Sequence, residues 1–95
     1  MDDYNGWTNK ATWLVKLWID NDQGLQEHWL EMARDSVTEY QLADTLKEEF
    51  TDTQSSILGT QYSASFWDDL MSWALAMVNW DEVAHSLMED AEEVA

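Results

Sequence analysis

The sequence contains no cysteine and no proline, and it has only three glycines, at positions 6, 24 and 59. The lack of cysteine excludes a disulfide framework, a thiol nucleophile and a cysteine-based zinc site. The lack of proline and the scarcity of glycine favour long, uninterrupted helices. Every apolar run is short and flanked by acids, which predicts neither a signal peptide nor a membrane-spanning segment. We therefore expect a soluble protein in the cytoplasm.

Basic residues are the other scarce class. Twenty Asp and Glu face four Lys and Arg, so the formal net charge is −16. No basic residue follows Lys47, whereas eleven acids do. Such a surface is a poor partner for nucleic acid or an anionic membrane and a good one for a basic protein surface. The chain also contains seven Trp, three Tyr and two Phe. These supply a hydrophobic core, so the high charge does not indicate disorder.

The length and the hydrophobic periodicity predict one acidic helical domain over residues 1–95. The fold class is all-α, a compact bundle of four to five helices. Thr8 or Asn9 caps the first helix, Thr38 caps the third and Asn79 caps the fifth. The predicted helices cover about 9–20, 25–36, 39–50, 63 or 65 to 78, and 80 onwards, with a loop over 51–62.

Helices 1 and 4 are apolar on almost every side, which is typical of helices that other helices surround. We therefore predict that these two helices form the centre of the bundle. Trp13, Leu17, Trp67 and Leu70 are expected to be buried there. Helix 4 has more apolar positions than one bundle face requires, and a surplus of this kind can indicate a homodimer interface.

Sequence motifs give little support for catalysis or metal binding. Glu82 and His85 have the i, i+3 spacing that carboxylate di-metal bundles use, and His28 and Glu31 repeat it in reverse order. The apolar faces carry none of the further inward glutamates that such a site needs. No nucleophile elbow, P-loop or dinucleotide fingerprint is present. We therefore predict no enzyme activity, no metal and no other cofactor.

The carboxylates are the strongest remaining signal. Glu27, Glu31 and Asp35 follow one another at four-residue steps on helix 2, which places them about 6 Å apart along the axis. That spacing approximates the phosphates of one DNA strand, so the same Lys and Arg side chains could engage it. The predicted partner-binding residues are Glu27, Glu31, Asp35, Asp68, Asp69, Asp81, Glu82, Glu89 and Asp90.

Two segments resemble a known family. NGWTN at 5–9, followed by TW at 12–13 and LW at 17–18, resembles the opening NGWTNxETWxVxLW of a family of small phage and plasmid proteins of unknown function. FWDDLMSWAL and VNWDEVAHSLMED, within 66–90, are similar to that family's C-terminal half. The chain departs from the pattern at Lys10 and Ala11, where the family often has an aromatic residue or arginine followed by glutamate. The resemblance implies an origin in mobile elements and no particular activity.

Together these observations favour a phage-type inhibitor of a bacterial DNA-targeting defence complex. In this hypothesis the protein is a DNA mimic that occupies a Lys/Arg-rich DNA-binding surface, with a CRISPR effector as the first choice of target and a restriction enzyme as the second. Two alternatives stay open. One is an adaptor that docks through a tryptophan-rich apolar patch, and the other is a halophilic acidic protein without mimicry.

Overall fold

The computed structural model describes residues 6–93, and this part of the chain consists of five α-helices without a β-strand. The helices are α1 (Lys10–Asn21), α2 (Gln23–Asp35), α3 (Glu39–Leu58), α4 (Phe66–Met77) and α5 (Trp80–Glu93). The predicted all-α bundle is therefore confirmed. Across this described span, no helix has the length and apolar character needed to cross a membrane.

Polar side chains begin each helix. Asn9, Asp22, Thr38 and Ser65 each accept a hydrogen bond from the backbone N–H three residues further on. Asn79 does the same for α5 by accepting from the N–H of Glu82. These contacts satisfy N–H groups that have no partner inside the helix. They confirm the predicted caps at positions 38 and 79, and they select Asn9 and Ser65 from the alternatives at the other two helix starts.

The core is built around α5. This helix buries Val83, Ala84, Leu87 and Ala91. Its most extensive contacts are with α3 and α2, and it also contacts α1. A row of aromatic rings links the three helices that meet there: the ring centroids of Trp29 and Phe50 are 6.3 Å apart, and those of Phe50 and Trp80 are 5.4 Å apart. The helix that other helices surround is therefore α5.

The prediction that helix 4 is central is wrong, whereas α1 contacts α2, α4 and α5 and has a buried face. No residue of α4 is buried, and the side chains expected in the core there, Trp67 and Leu70, are 53% and 44% exposed. The reason is position: α4 packs on α3 and α1 at the edge of the bundle, so only one side of this apolar helix is covered. On α1, Trp13 and Leu17 are half-buried. The buried face of α1 consists of Thr12, Val15, Lys16 and Ile19.

The third helix is longer than predicted. It continues through the predicted loop to Leu58, and Gly59, with φ of 58°, ends it. The apolar pattern is interrupted at Gln54, which is nevertheless buried at 7% exposure. Its amide nitrogen donates to the carboxylate of Asp68 and to the hydroxyl of Ser72, each at 2.9 Å. A buried polar side chain with satisfied hydrogen bonds therefore occupies a position where periodicity predicts an apolar one.

Residues 7–9, within the NGWTN motif, join the start of α1 to the junction between α4 and α5. The side-chain amide of Asn9 donates to the carbonyl oxygen of Met77 at 2.7 Å. The backbone N–H of Thr8 donates to Glu82 Oε1 at 3.1 Å. Trp7 is half-buried and lines a groove with Glu82 and other residues of α5. The segment thus has a structural role that links two distant parts of the chain.

Candidate functional site

The outer side of α2 carries a row of carboxylates, which we call the α2 ridge: Glu27, Glu31 and Asp35. All three are exposed. The opposite side of the helix buries Trp29 and Ala33 in the core, so the ridge faces away from the protein. Successive ridge positions are one helical turn apart, about 6 Å by the 1.5 Å rise per residue. The structure therefore places these three predicted residues together on one rigid, accessible surface.

A second row of carboxylates lies on α3, and we call it the α3 ridge: Asp44, Glu48 and Asp52. Its members are again spaced by four residues, and all three are exposed. Sequence reasoning missed this ridge because it ended the third helix near Phe50, which left Asp52 in a loop. The four-residue spacing was the signal that could have found it. Lys47 lines the same shallow depression as the ridge and is the basic residue nearest to it along the chain.

A groove runs between α2 and α3. Its volume is about 520 Å³. His28 Nε2 lies 3.1 Å from Glu49 Oε2 across it, so the two helices are neighbours at this point. Asp52 belongs both to the α3 ridge and to the groove lining. The groove is lined by Leu25, His28, Trp29, Glu49, Phe50, Asp52 and Thr53. It therefore combines an apolar floor with carboxylates at its edge.

Three predicted site residues outside the α2 ridge have partners in other parts of the chain, whereas Glu27 of the ridge accepts a hydrogen bond from Gln23 on the same helix, at 3.2 Å. Asp68 accepts hydrogen bonds from Gln54 and from the backbone N–H of Ala64, at 2.9 and 3.1 Å. Glu82 accepts from the N–H of Thr8, and Asp90 Oδ2 lies 2.8 Å from the ammonium of Lys16. These carboxylates contribute to the negative potential but also hold the fold together.

The three remaining predicted residues, Asp69, Asp81 and Glu89, are exposed. Asp69 and Asp81 have no acid four residues away on the same helix, and Glu89 has one, Glu93, so none of the three belongs to a row of three. Glu89 Oε1 lies 3.5 Å from His85 Nε2. The acidic residues that the structure organises into rows are therefore those of the α2 and α3 ridges.

With the fold and these surfaces described, the chain can be compared with known proteins. A model for a family of unknown function, DUF7249, matches residues 1–94. The chain belongs to this family. No curated protein and no solved structure matches it. Because the family has no assigned activity, the function of this DUF7249 protein has to be argued from its surface.

The histidine pairs of this DUF7249 protein contact carboxylates other than those the sequence suggested. His85 Nδ1 contacts Glu39 of α3, and Nε2 faces Glu89, whereas Glu82 binds the N-terminal segment. The hydrogen bond and the charge of Glu39, with the charge of Glu89, raise the pKa of His85 above its usual value. Within residues 6–93, no three His, Asp or Glu side chains come together in a way that could hold a metal ion.

Few positive charges balance the acids of this DUF7249 protein. Lys10, Arg34 and Lys47 are exposed. Lys16 is buried, and its ammonium bonds to both Asp20 and Asp90. Burial lowers the pKa of Lys16, but the hydrogen bonds and charges of its two partners outweigh this effect and raise the pKa above its usual value. The surface is therefore dominated by negative charge.

Proposed function

We propose that this DUF7249 protein is a phage-type inhibitor that imitates DNA and occupies the Lys/Arg-rich DNA-binding surface of a bacterial defence complex. A CRISPR effector is the first candidate target, and a restriction enzyme is the second. The observation that carries the proposal is the α2 ridge, in which three exposed carboxylates stand one turn apart on a rigid helix. The α3 ridge repeats this arrangement on a neighbouring helix.

The spacing of the ridges supports mimicry because much of the affinity of a DNA-binding protein comes from contacts with the phosphate charges, which do not depend on the base sequence. Such a protein places Lys and Arg side chains opposite the regularly spaced phosphates of the DNA backbone and gains affinity by releasing condensed counterions. A helix offers carboxylates about 6 Å apart without the cost of ordering a flexible chain. The net charge of −16 would also steer the protein towards a basic cleft and increase the association rate.

Competition is the mechanism that follows. The inhibitor and the target DNA would require the same basic side chains, so occupation by one excludes the other. No chemical step is involved, which agrees with the lack of any catalytic motif in the sequence. An origin in phages or plasmids fits this role, since a mobile element benefits when the host enzymes that bind its DNA are blocked.

The decisive experiment compares two charge-reversed variants with an equal change in net charge. One is Glu27→Lys with Glu31→Lys, in the α2 ridge. The matched control is Glu92→Lys with Glu93→Lys, at exposed positions near the end of α5. Each is added to purified CRISPR effectors and restriction enzymes in a DNA-cleavage assay, at low and high salt. The proposal expects the α2 variant to lose inhibition and the control to retain most of it.

Other results would contradict the proposal. If both double variants lose inhibition equally, bulk charge rather than the α2 ridge is responsible. If the α2 variant still binds a target and Trp73→Ala does not, the protein is an adaptor that docks through exposed tryptophans. Binding that is insensitive to salt would also exclude mimicry, because ion pairs between exposed groups weaken as salt increases. If no DNA-binding enzyme is inhibited, the acidity reflects adaptation to salt.

A further inference from the structure

One side of α4 forms an apolar stripe that nothing in the described chain covers. We use the name α4 stripe for Phe66, Leu70, Trp73 and Met77. Their exposed fractions are 68%, 44%, 63% and 44%. The spacing of four, three and four residues places them on one face of the helix, as in the a and d positions of a coiled coil. The other side of α4 packs on the bundle, so the stripe points away from the core.

The exposed apolar surface extends beyond the stripe. Trp67 contacts Phe66 edge to face, with 5.1 Å between ring centroids. Trp67 also lines a groove with Ile57 and Tyr62, which are 67% and 44% exposed. At about 150–250 Å² for each large side chain, the four stripe residues expose roughly 400 Å² and all seven residues together roughly 700 Å². Monomeric proteins seldom expose more than about 600 Å² in one patch, whereas a standard interface covers about 800 Å² on each partner.

Most of the α4 stripe lies in a segment without charge, and the acids nearest to it, Asp68 and Asp69, stand near its Phe66 end. The chain has twenty acids, but residues 70–80, which include most of α4 and its junction with α5, contain none. A basic target would find no carboxylate to pair with along this segment. A second copy of this chain, although strongly negative elsewhere, could approach it without placing carboxylate against carboxylate. Size and lack of charge therefore both favour self-association over the partner that the acidic ridges fit.

We propose that the α4 stripe is the interface of a homodimer in which the two α4 helices pack antiparallel around a two-fold axis. The stripe is symmetric in position, because its first and last residues lie equally far from its centre, as do its two middle residues. An antiparallel pair would therefore place Phe66 against the partner's Met77 and Leu70 against the partner's Trp73. This inference is independent of the proposed DNA mimicry, since it concerns a different surface.

The antiparallel direction follows from size and charge. In an antiparallel pair, each layer of the interface consists of one aromatic side chain and one aliphatic side chain, Phe66 with Met77 or Leu70 with Trp73, so the layers have similar volumes. A parallel pair would place Trp73 against the partner's Trp73 in one layer and two leucines in the next, with unequal volumes. It would also bring the exposed Asp69 side chains of the two copies to the same level, where they repel.

The oligomeric state is measured by sedimentation velocity over a range of protein concentrations, in about 0.15 M salt to screen the net charge. We expect a dimer with a micromolar or lower dissociation constant. Trp73→Ala should raise that constant at least about 30-fold, the effect typical of a central interface residue. Trp18→Ala is the matched control, because Trp18 on α1 is 65% exposed, close to the 63% of Trp73, and lies outside the stripe. It should leave the constant unchanged.

The direction of packing is tested by cross-linking, which has no background because the chain contains no cysteine. A mixture of Leu70→Cys and Trp73→Cys proteins should form a mixed disulfide in preference to either homodimer. Self-cross-linking of each single variant would indicate a parallel pair and overturn the proposed geometry. A protein that stays monomeric at every concentration, with a circular-dichroism spectrum that confirms folding, would overturn the dimer itself. An equal effect of Trp18→Ala and Trp73→Ala would place the interface elsewhere.

Discussion

The hydroxyl of Thr12 accepts a hydrogen bond from the backbone N–H of Asn79, 67 residues further along the chain, at 2.9 Å. The same hydroxyl donates to Asn9 Oδ1 at 2.7 Å, and Thr12 is completely buried. A side chain in the first turn of α1 thereby satisfies a backbone group at the junction between α4 and α5. This contact fixes α1 against the two C-terminal helices.

Replacement of Thr12 by valine tests how much this contact contributes. Thr12→Val keeps the shape of the side chain but removes both the acceptor of the Asn79 N–H and the donor to Asn9 Oδ1. We expect the free energy of unfolding to fall by about 1–3 kcal/mol, measured by urea denaturation. Thr53→Val is the control, because the Thr53 hydroxyl donates to the carbonyl of Glu49 on an exposed face of α3. It should change stability by less than about 0.5 kcal/mol. Equal losses in the two variants would contradict a special role for Thr12.

The Thr12 contact also illustrates which parts of the fold could be predicted from sequence. Helix starts depend on local chemistry, so the caps at Thr38 and Asn79 followed from residue type and spacing, and the cap of α1 was narrowed to Thr8 or Asn9. The partner of Thr12 depends on how distant helices pack, and no local pattern encodes it. The same limit applies to α4, because an apolar helix at the edge of a bundle and one at its centre have the same hydrophobic pattern.

The acidic residues of the candidate site were likewise predictable from sequence only in part. The spacing of Glu27 and Glu31 was sufficient to predict the exposed α2 ridge, because a regular outer face requires only helical periodicity. The α3 ridge was missed because a buried Gln54 resembles a loop residue when its partners, Asp68 and Ser72, are unknown. The ion pair between Lys16 and Asp90 depends on how α1 and α5 pack together, so sequence could not reveal it either.

Lys16 provides the second prediction. Its side chain is only 7% exposed, and its ammonium lies 2.8 Å from both Asp20 and Asp90. Lys16→Met would preserve the packing of the aliphatic stem but leave two neighbouring carboxylates without their shared cation. We expect a loss of about 1–3 kcal/mol in the free energy of unfolding, since both acids are partly hydrated. Lys47→Met makes the same change in net charge at an exposed position and should cost less than about 0.5 kcal/mol.

The third prediction concerns pH. The pKa of His85 is raised by its hydrogen bond to the Glu39 carboxylate and by the charges of Glu39 and Glu89. A raised pKa in the folded state means that protonation stabilises the protein below the unfolded pKa of about 6.5, and that this contribution disappears as pH rises through the folded pKa. The stability difference between the wild type and His85→Gln should therefore be greatest near pH 5.5 and vanish well above the folded pKa.

A double-mutant cycle checks the cause of this pH dependence. In a Glu39→Gln background, His85→Gln should show a much smaller pH-dependent effect, because the main partner of the imidazolium has been removed. Thermal melting between about pH 5.5 and 8.5 is sufficient to measure it. A difference that increases with pH would contradict the assigned interaction, since it would require a lowered rather than a raised pKa.

The last prediction follows from the shortage of cations. The exposed carboxylates of the α2 and α3 ridges stand one turn apart, and like charges at this spacing repel. Added salt screens this repulsion, so the melting temperature should rise as sodium chloride increases from about 0.05 to 0.5 M. Chloride is preferred to sulfate because sulfate also strengthens the burial of apolar surface. The double variant Glu27→Lys with Glu31→Lys should show a smaller rise, because each substitution changes the net charge by +2, from −16 to −12 in total, and position 31 then carries a charge opposite to that of Asp35. A protein that folds only above about molar salt would support the halophilic alternative, whereas a melting temperature indifferent to salt would contradict the repulsion on which both explanations of the acidity depend.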